Sequence, residues 1–155
     1  MTKAPSFDVA AAHRYFSAYC FNQAWNFIEK KDRTAEDDLL MAALSQASIW
    51  HWRQREDCSN RNLAVGYWQA SRIQAILGNG TEALRLANIS LSYSGELQPF
   101  HLGYAHEAMA RAELLVGNAE RAAAHLSLAR ELAARVDDED DRALLLADLA
   151  TIVVR

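Results

Sequence analysis

Apolar residues recur along this chain at the spacing of three or four that puts them on one face of an α-helix, and no stretch alternates as a half-buried strand does. Phe7, Ala11, Tyr15, Ala18, Trp25 and Ile28 keep that spacing, while Phe16, Tyr19, Cys20 and Phe27 widen the stripe past a single face. The pattern predicts a first helix from about Phe7 to Glu29, capped by Ser6 and covered on two sides. Polar Lys30-Lys-Asp-Arg33 breaks it. Thr34 and Asp37 then stand at capping-box spacing, where a hydroxyl and a carboxylate satisfy free N–H groups, so a second helix is expected to about Arg55. Further helices are expected at about Asn60 to Leu77, Thr81 to Tyr93 with Thr81 as cap, Pro99 to Val116 and Asn118 to Val136. Pro99 suits a first helical position, where the N–H it lacks has no intrahelical partner anyway. Beyond the acidic run Asp137 to Asp141, Leu145, Leu149, Ile152 and Val153 form the stripe of a seventh helix.

Two connections are near copies. Arg72-Ile-Gln-Ala-Ile-Leu-Gly-Asn-Gly-Thr-Glu-Ala-Leu84 is echoed by Arg111-Ala-Glu-Leu-Leu-Val-Gly-Asn-Ala-Glu-Arg-Ala-Ala123, with 39 residues from Gly78 to Gly117. Asn79-Gly80 between strands would signal a β-hairpin, but the flanks here have helical period, so each copy reads as a helical hairpin. A period of this length is the mark of stacked supersecondary units. The expected architecture is all-α in a single domain over residues 1–155, with a degenerate hairpin at 7–55, repeats at 60–93 and 99–136, and a capping helix at 141–154. Composition agrees: 51% of the 155 residues are hydrophobic, and only 6 Gly and 2 Pro interrupt them.

Gly78, Asn79 and Ala83, matched by Gly117, Asn118 and Ala122, resemble the interhelical turn and first helix crossing of tetratricopeptide repeats. Ala43-Leu-Ser-Gln-Ala47 echoes Ala83-Leu-Arg-Leu-Ala87 in the N-terminal hairpin. The copies depart from the family where His106 replaces the aromatic that is Tyr67 in the first copy, where Ser90 replaces the usual second-crossing Ala that is Ala129 in the second, and in a period above the usual ~34 residues. The resemblance implies a right-handed α-α superhelix of three helical hairpins plus a capping helix, which binds a peptide or protein and brings no catalytic residues. Phe21-Asn-Gln-Ala-Trp25 and Ala47-Ser-Ile-Trp-His-Trp52 are also similar to segments of small bacterial helical-repeat proteins, which implies no activity. Family members that clamp a C-terminal carboxylate use Lys and Asn on their inner helices. Trp68, Arg72, Glu107 and Arg111 stand at those positions here, so that clamp is not expected.

Charge and chemistry narrow the function further. A net charge of −4, with basic residues scattered among acidic ones, lacks the basic face that a phosphate backbone requires. Nucleic acid is not an expected partner. No apolar leader or membrane-length apolar run stands in the chain, and Cys20 and Cys58 form no CxxC, so a cytoplasmic protein with reduced thiols is expected. His106-Glu107 begins like a zinc-protease HExxH, but Ala110 takes the place of the second His. His13, His51, His101, His106 and His125 form no pair one helical turn apart, and Arg142 stands where a calcium loop through Asp137 to Asp141 needs Gly. No metal, no cofactor and no catalytic residue is expected.

The aromatic cluster Trp50, His51 and Trp52, with Tyr67 and Trp68 a helix later, has two readings. Such rings pack routinely between repeats, yet three adjacent ones fan around one helix and cannot all enter one core. The leading expectation is a non-enzymatic binding module whose inner groove carries Trp68, Arg72, Glu107 and Arg111. An alternative is a small-molecule site or enzyme pocket formed by Tyr19, Asn22, His51 and Trp52. Another is a structural homodimer through the surplus apolar surface of the first helix or the cap.

Overall fold

The computed structural model describes residues 3–154, and among them the chain forms seven α-helices and no strand. They are α1 (Val9–Glu29), α2 (Ala35–Arg53), α3 (Asn60–Ile76), α4 (Gly80–Ser94), α5 (Pro99–Leu115), α6 (Ala119–Ala133) and α7 (Glu139–Ala150). Consecutive helices pair as α1/α2, α3/α4 and α5/α6, neighbouring pairs touch through α2/α3, α4/α5 and α3/α5, and α7 packs on α5 and α6. The apolar core follows this stacking as a chain of small clusters. Where α4 meets α5 the contact is made by Ala83, Ala87, Ala108 and Ala112, small enough to let the two backbones approach.

The two Gly-Asn turns are built alike. Gly78 and Gly117 have φ of 78° and 86°, the left-handed region that a Cβ disfavours. In each turn the Asn amide reaches back five residues, Asn79 Nδ2 to Gln74 Oε1 at 2.9 Å and Asn118 Nδ2 to Glu113 Oε2 at 2.7 Å. That engagement changes the expected start of α4. Asn79 is the N-cap without a side-chain cap bond, the helix begins at Gly80, and Thr81 lies inside its first turn and not at the cap.

Other helix ends follow local chemistry. Asp8, not Ser6, caps α1 by accepting a hydrogen bond from the Ala11 amide at 3.0 Å, which leaves Phe7 outside the helix and exposed. The Thr34/Asp37 capping box forms as its spacing requires, and Ser59 with Asn62 makes a second one at the start of α3. Pro99 opens α5. The capping helix starts and stops earlier than its stripe implied, because Asp138 caps it through the Asp141 amide and Thr151 ends it. Ile152 continues into the core beyond the helix, while Val153 is exposed.

Candidate functional site

One face of α5 brings together Phe100, Tyr104, Glu107 and Arg111, spaced a helical turn apart, and α3 presents Trp68 and Arg72 at the same spacing. Their meeting point is Glu107, whose side chain is fully buried. Its Oε2 accepts from Trp68 Nε1 at 2.9 Å, and its Oε1 accepts from Arg72 Nη1 at 3.1 Å and from Arg111 Nε at 2.8 Å. α7 closes the cluster. Tyr104 donates to Asp148 Oδ2 at 2.8 Å, Arg72 approaches Asp148 Oδ1 at 3.8 Å, and Arg111 donates to Thr151 Oγ1 at 2.9 Å. Burial first, and then the bond to Asp148 and its charge, push the Tyr104 phenol well above its ordinary value, so it remains a donor.

The four residues expected on an inner groove therefore converge, but not all as groove surface. Glu107 sits beneath the others with its donors supplied, since a buried carboxylate is tolerated only when paired. Arg72 and Arg111 remain partly exposed and line a concavity of about 490 Å³ together with Arg33, Ile28, Thr151 and Ile152. Trp68 is half-buried and lines a second, almost wholly apolar concavity of about 290 Å³.

That aromatic pocket is enclosed by Trp25 of α1, Trp68 of α3, Phe100 and Tyr104 of α5, and Leu144 and Asp148 of α7. Trp25 lies against Trp68 with ring centroids 5.6 Å apart and planes 30° apart. Trp68 meets Tyr104 at 5.1 Å and 68°, and Tyr104 meets Phe100 at 5.1 Å and 82°. The polar handles of three rings are spent elsewhere, on Glu29 for Trp25, Glu107 for Trp68 and Asp148 for Tyr104. His101 stands at the edge, where burial first and the Arg61 charge second lower its pKa and favour the neutral ring.

The alternative set does not assemble as one pocket. Asn22 and Trp52 line a concavity of about 240 Å³ with Arg61 and Asn62. His51 lies elsewhere, with its Nδ1 2.8 Å from Nδ1 of His13, and Tyr19 is exposed and stacked on Tyr15 at 5.3 Å. The three adjacent rings separate only in part: Trp50, exposed, stays in edge contact with His51 at 4.8 Å and both meet His13, while Trp52 lies apart under the Arg55 guanidinium at 3.8 Å.

Histidine pairs are a feature that spacing along one helix could not reveal. His13 meets His51 across α1 and α2, and His106 meets His125 across α5 and α6 with Nδ1 atoms 2.9 Å apart. Each bond needs one ring to donate and the other to accept, which requires at least one neutral ring. Burial first, and the partner ring's charge second, lower the pKa of His51 and His106. Among the described residues no three His, Cys, Asp or Glu side chains gather closely enough to hold a metal ion, and no helix is long and apolar enough to cross a membrane.

Sequence reasoning missed Trp25, Phe100, Tyr104 and Asp148 as parts of the site. For the α5 pair a signal existed, since Phe100 and Tyr104 continue the Glu107 and Arg111 face toward the N-terminus at helical spacing. Asp148 carried none, because its partner Tyr104 is 44 residues away. Comparison with protein-family models, with curated proteins and with solved structures returns no match for this chain.

Proposed function

We propose that this chain is a non-catalytic binding module, a tetratricopeptide-like right-handed superhelix that takes a peptide or protein segment along the face shared by α1, α3, α5 and α7. The observation that carries the reading is the aromatic concavity of about 290 Å³ on that face, with partly exposed Arg72 and Arg111 lining the one of about 490 Å³ next along α3 and α5. An apolar pocket beside directional guanidinium donors suits an anchor side chain followed by carbonyl or carboxylate groups of the same segment. The buried Glu107 holds both guanidinium groups and the Trp68 indole in place, so part of the ordering cost is met before a partner arrives. The two alike turns, and Ala83 and Ala122 fully buried at matching places, support the repeat architecture. On this reading the module needs no cofactor or metal, works in the cytoplasm and does not use nucleic acid.

Selection from a displayed random-peptide library tests the reading. One enriched motif should bind the protein, and Leu144→Arg, at an exposed pocket-rim position, should abolish binding while leaving the helical circular dichroism unchanged. No enriched motif, or an undiminished one on Leu144→Arg, refutes it.

A homodimer is favoured by a separate observation: Phe7, Tyr15, Phe16, Tyr19 and Trp50 are all exposed on the first hairpin. Rings of this size at these exposures present about 500 Å² of aromatic surface, a large share of the roughly 800 Å² per partner in a stable interface. Sedimentation should then show a dimer that Tyr15→Lys converts to monomer; a concentration-independent monomer refutes this reading.

A further inference from the structure

We propose that the aromatic pocket between Trp25, Trp68, Phe100 and Tyr104 is a recognition site for a quaternary ammonium group. The inference rests on the binding-module reading for the place of the pocket and adds the chemistry of the group that enters it. Three features of the lining select that chemistry. Trp25 and Trp68 are tilted by 30°, and the next rings meet at 68° and 82°, so the planes turn around the space from Trp68 onward and do not form one stack. Trp25, Trp68 and Tyr104 have each given their polar hydrogen to a carboxylate, which leaves ring surface and no free donor from these residues. Donation to an anion also enriches the ring in electron density and strengthens its attraction for a cation.

Charge points the same way. Asp148 is the charged side chain that lines this pocket; Arg72, 3.8 Å from its Oδ1, shares that charge but lines the neighbouring concavity with Arg111. Desolvation and the Arg61 charge favour neutral His101, so it adds no opposing charge. Ser90, also in the lining, has donated its hydroxyl hydrogen to the Ala64 carbonyl at 2.8 Å. A primary ammonium would leave N–H groups short of acceptors here, and an anion would find at most the single N–H of neutral His101 while facing the Asp148 carboxylate. A trimethylammonium group has no N–H to satisfy, is weakly hydrated for a cation, and gains from both the aromatic walls and the carboxylate. The same group can come from a free solute of the choline type or from a trimethylated lysine side chain.

The test uses the whole protein and three probes: choline, its neutral carbon isostere 3,3-dimethylbutan-1-ol, and a peptide with trimethyllysine beside its unmethylated form. Titration is followed through the indole resonances of Trp25 and Trp68. Choline should bind at least about 10-fold more tightly than the isostere, the difference being cation–aromatic and ionic attraction. Trp25→Leu and Phe100→Leu keep an apolar wall without the aromatic quadrupole, so each should weaken choline roughly 3- to 30-fold and leave the isostere nearly unchanged. Retained isostere binding also reports that the variants fold. Asp148→Asn, which can still accept from Tyr104, should weaken choline alone. Equal binding of choline and isostere overturns the inference and leaves an apolar anchor pocket for the peptide reading. Failure of both choline and the trimethyllysine peptide to shift either indole at concentrations well above millimolar also overturns it. Tight trimethyllysine peptide binding assigns the group to a protein partner; choline binding with no gain from the peptide assigns it to a solute, keeps the inference and counts against the peptide reading.

Discussion

Replacing Glu107 by Gln removes the charge at the centre of the α3/α5/α7 cluster while keeping its shape. The carboxylate is fully buried and holds Trp68, Arg72 and Arg111 through hydrogen bonds. An amide cannot replace it. Whichever way Gln turns, its NH₂ faces either the indole N–H or the two guanidinium groups, so a donor meets a donor. Breaking a buried ion pair costs about 3 to 5 kcal/mol. Arg72 and Arg111 keep 17% and 19% side-chain exposure and can recover some hydration, which places the cost near the lower end, about 3 kcal/mol. For a chain of this size that is a fall in Tm of roughly 6 to 12 °C. Urea unfolding followed by circular dichroism should give a lower midpoint at an unchanged slope, showing lost stability and not a changed unfolded state. Combined with Arg72→Gln, the losses should be less than additive by at least about 1 kcal/mol, because the second change removes a partner already lost. A Tm shift below about 2 °C, or additive losses, would show that the cluster is not the coupled unit described.

Gly117→Val should cost on the order of 1 to 2 kcal/mol through its positive φ alone, because nothing lies within 4 Å of a Cβ built there; an unchanged Tm would refute the left-handed turn. Gly103→Ala should destabilise by steric overlap instead, since its Cβ would stand 2.7 Å from Leu145 Cδ2, and its loss should be less than additive with that of Leu145→Ala, which removes the overlapping methyl; additive losses would refute the overlap. Gln69→Met should change stability by less than about 1 kcal/mol or raise it, because Gln69 Oε1 is buried without a partner and its amide bonds only the Phe21 carbonyl; a loss above about 3 kcal/mol would mean that the amide is fully satisfied. Burial lowers the folded-state pKa of His51, His101, His106 and His125, so the unfolded chain binds more protons as pH falls below about 6.5. Tm should hold above that pH and decline toward pH 5.5, and His106→Gln with His125→Asn should flatten the decline; a flat wild-type profile would contradict the lowered pKa values of the buried rings. Asp37, Asp57 and Glu82 have lowered pKa values, so their share of stability goes only at more acidic pH.

The sequence by itself determined the helical elements and the turns between them, because those depend on residues a few positions apart. Period-3.6 apolar spacing placed seven helices, the Thr34/Asp37 pair marked a helix start, and the repeated Gly-Asn marked two turns with positive φ. Its errors at helix ends were local contests: Asp8 against Ser6 as cap, and Asn79 against Thr81, each decided by which side chain reached which backbone or side-chain partner. Only the tertiary structure decided what the marked side chains do. Trp68, Arg72, Glu107 and Arg111 could be placed on facing helices from their spacing, but only the packing of α3 on α5 put Glu107 beneath the other three, and Asp148 of α7 and Thr151 at its end met the two arginines. Histidines 19 and 38 residues apart became pairs by the packing of the two helices within one hairpin, and Trp25, Phe100 and Tyr104 became one pocket by the angle at which the hairpins stack. That angle is set by the summed fit of many small contacts, Ala against Ala between α4 and α5 and Gly103 against Leu145, and no local stretch of sequence contains it.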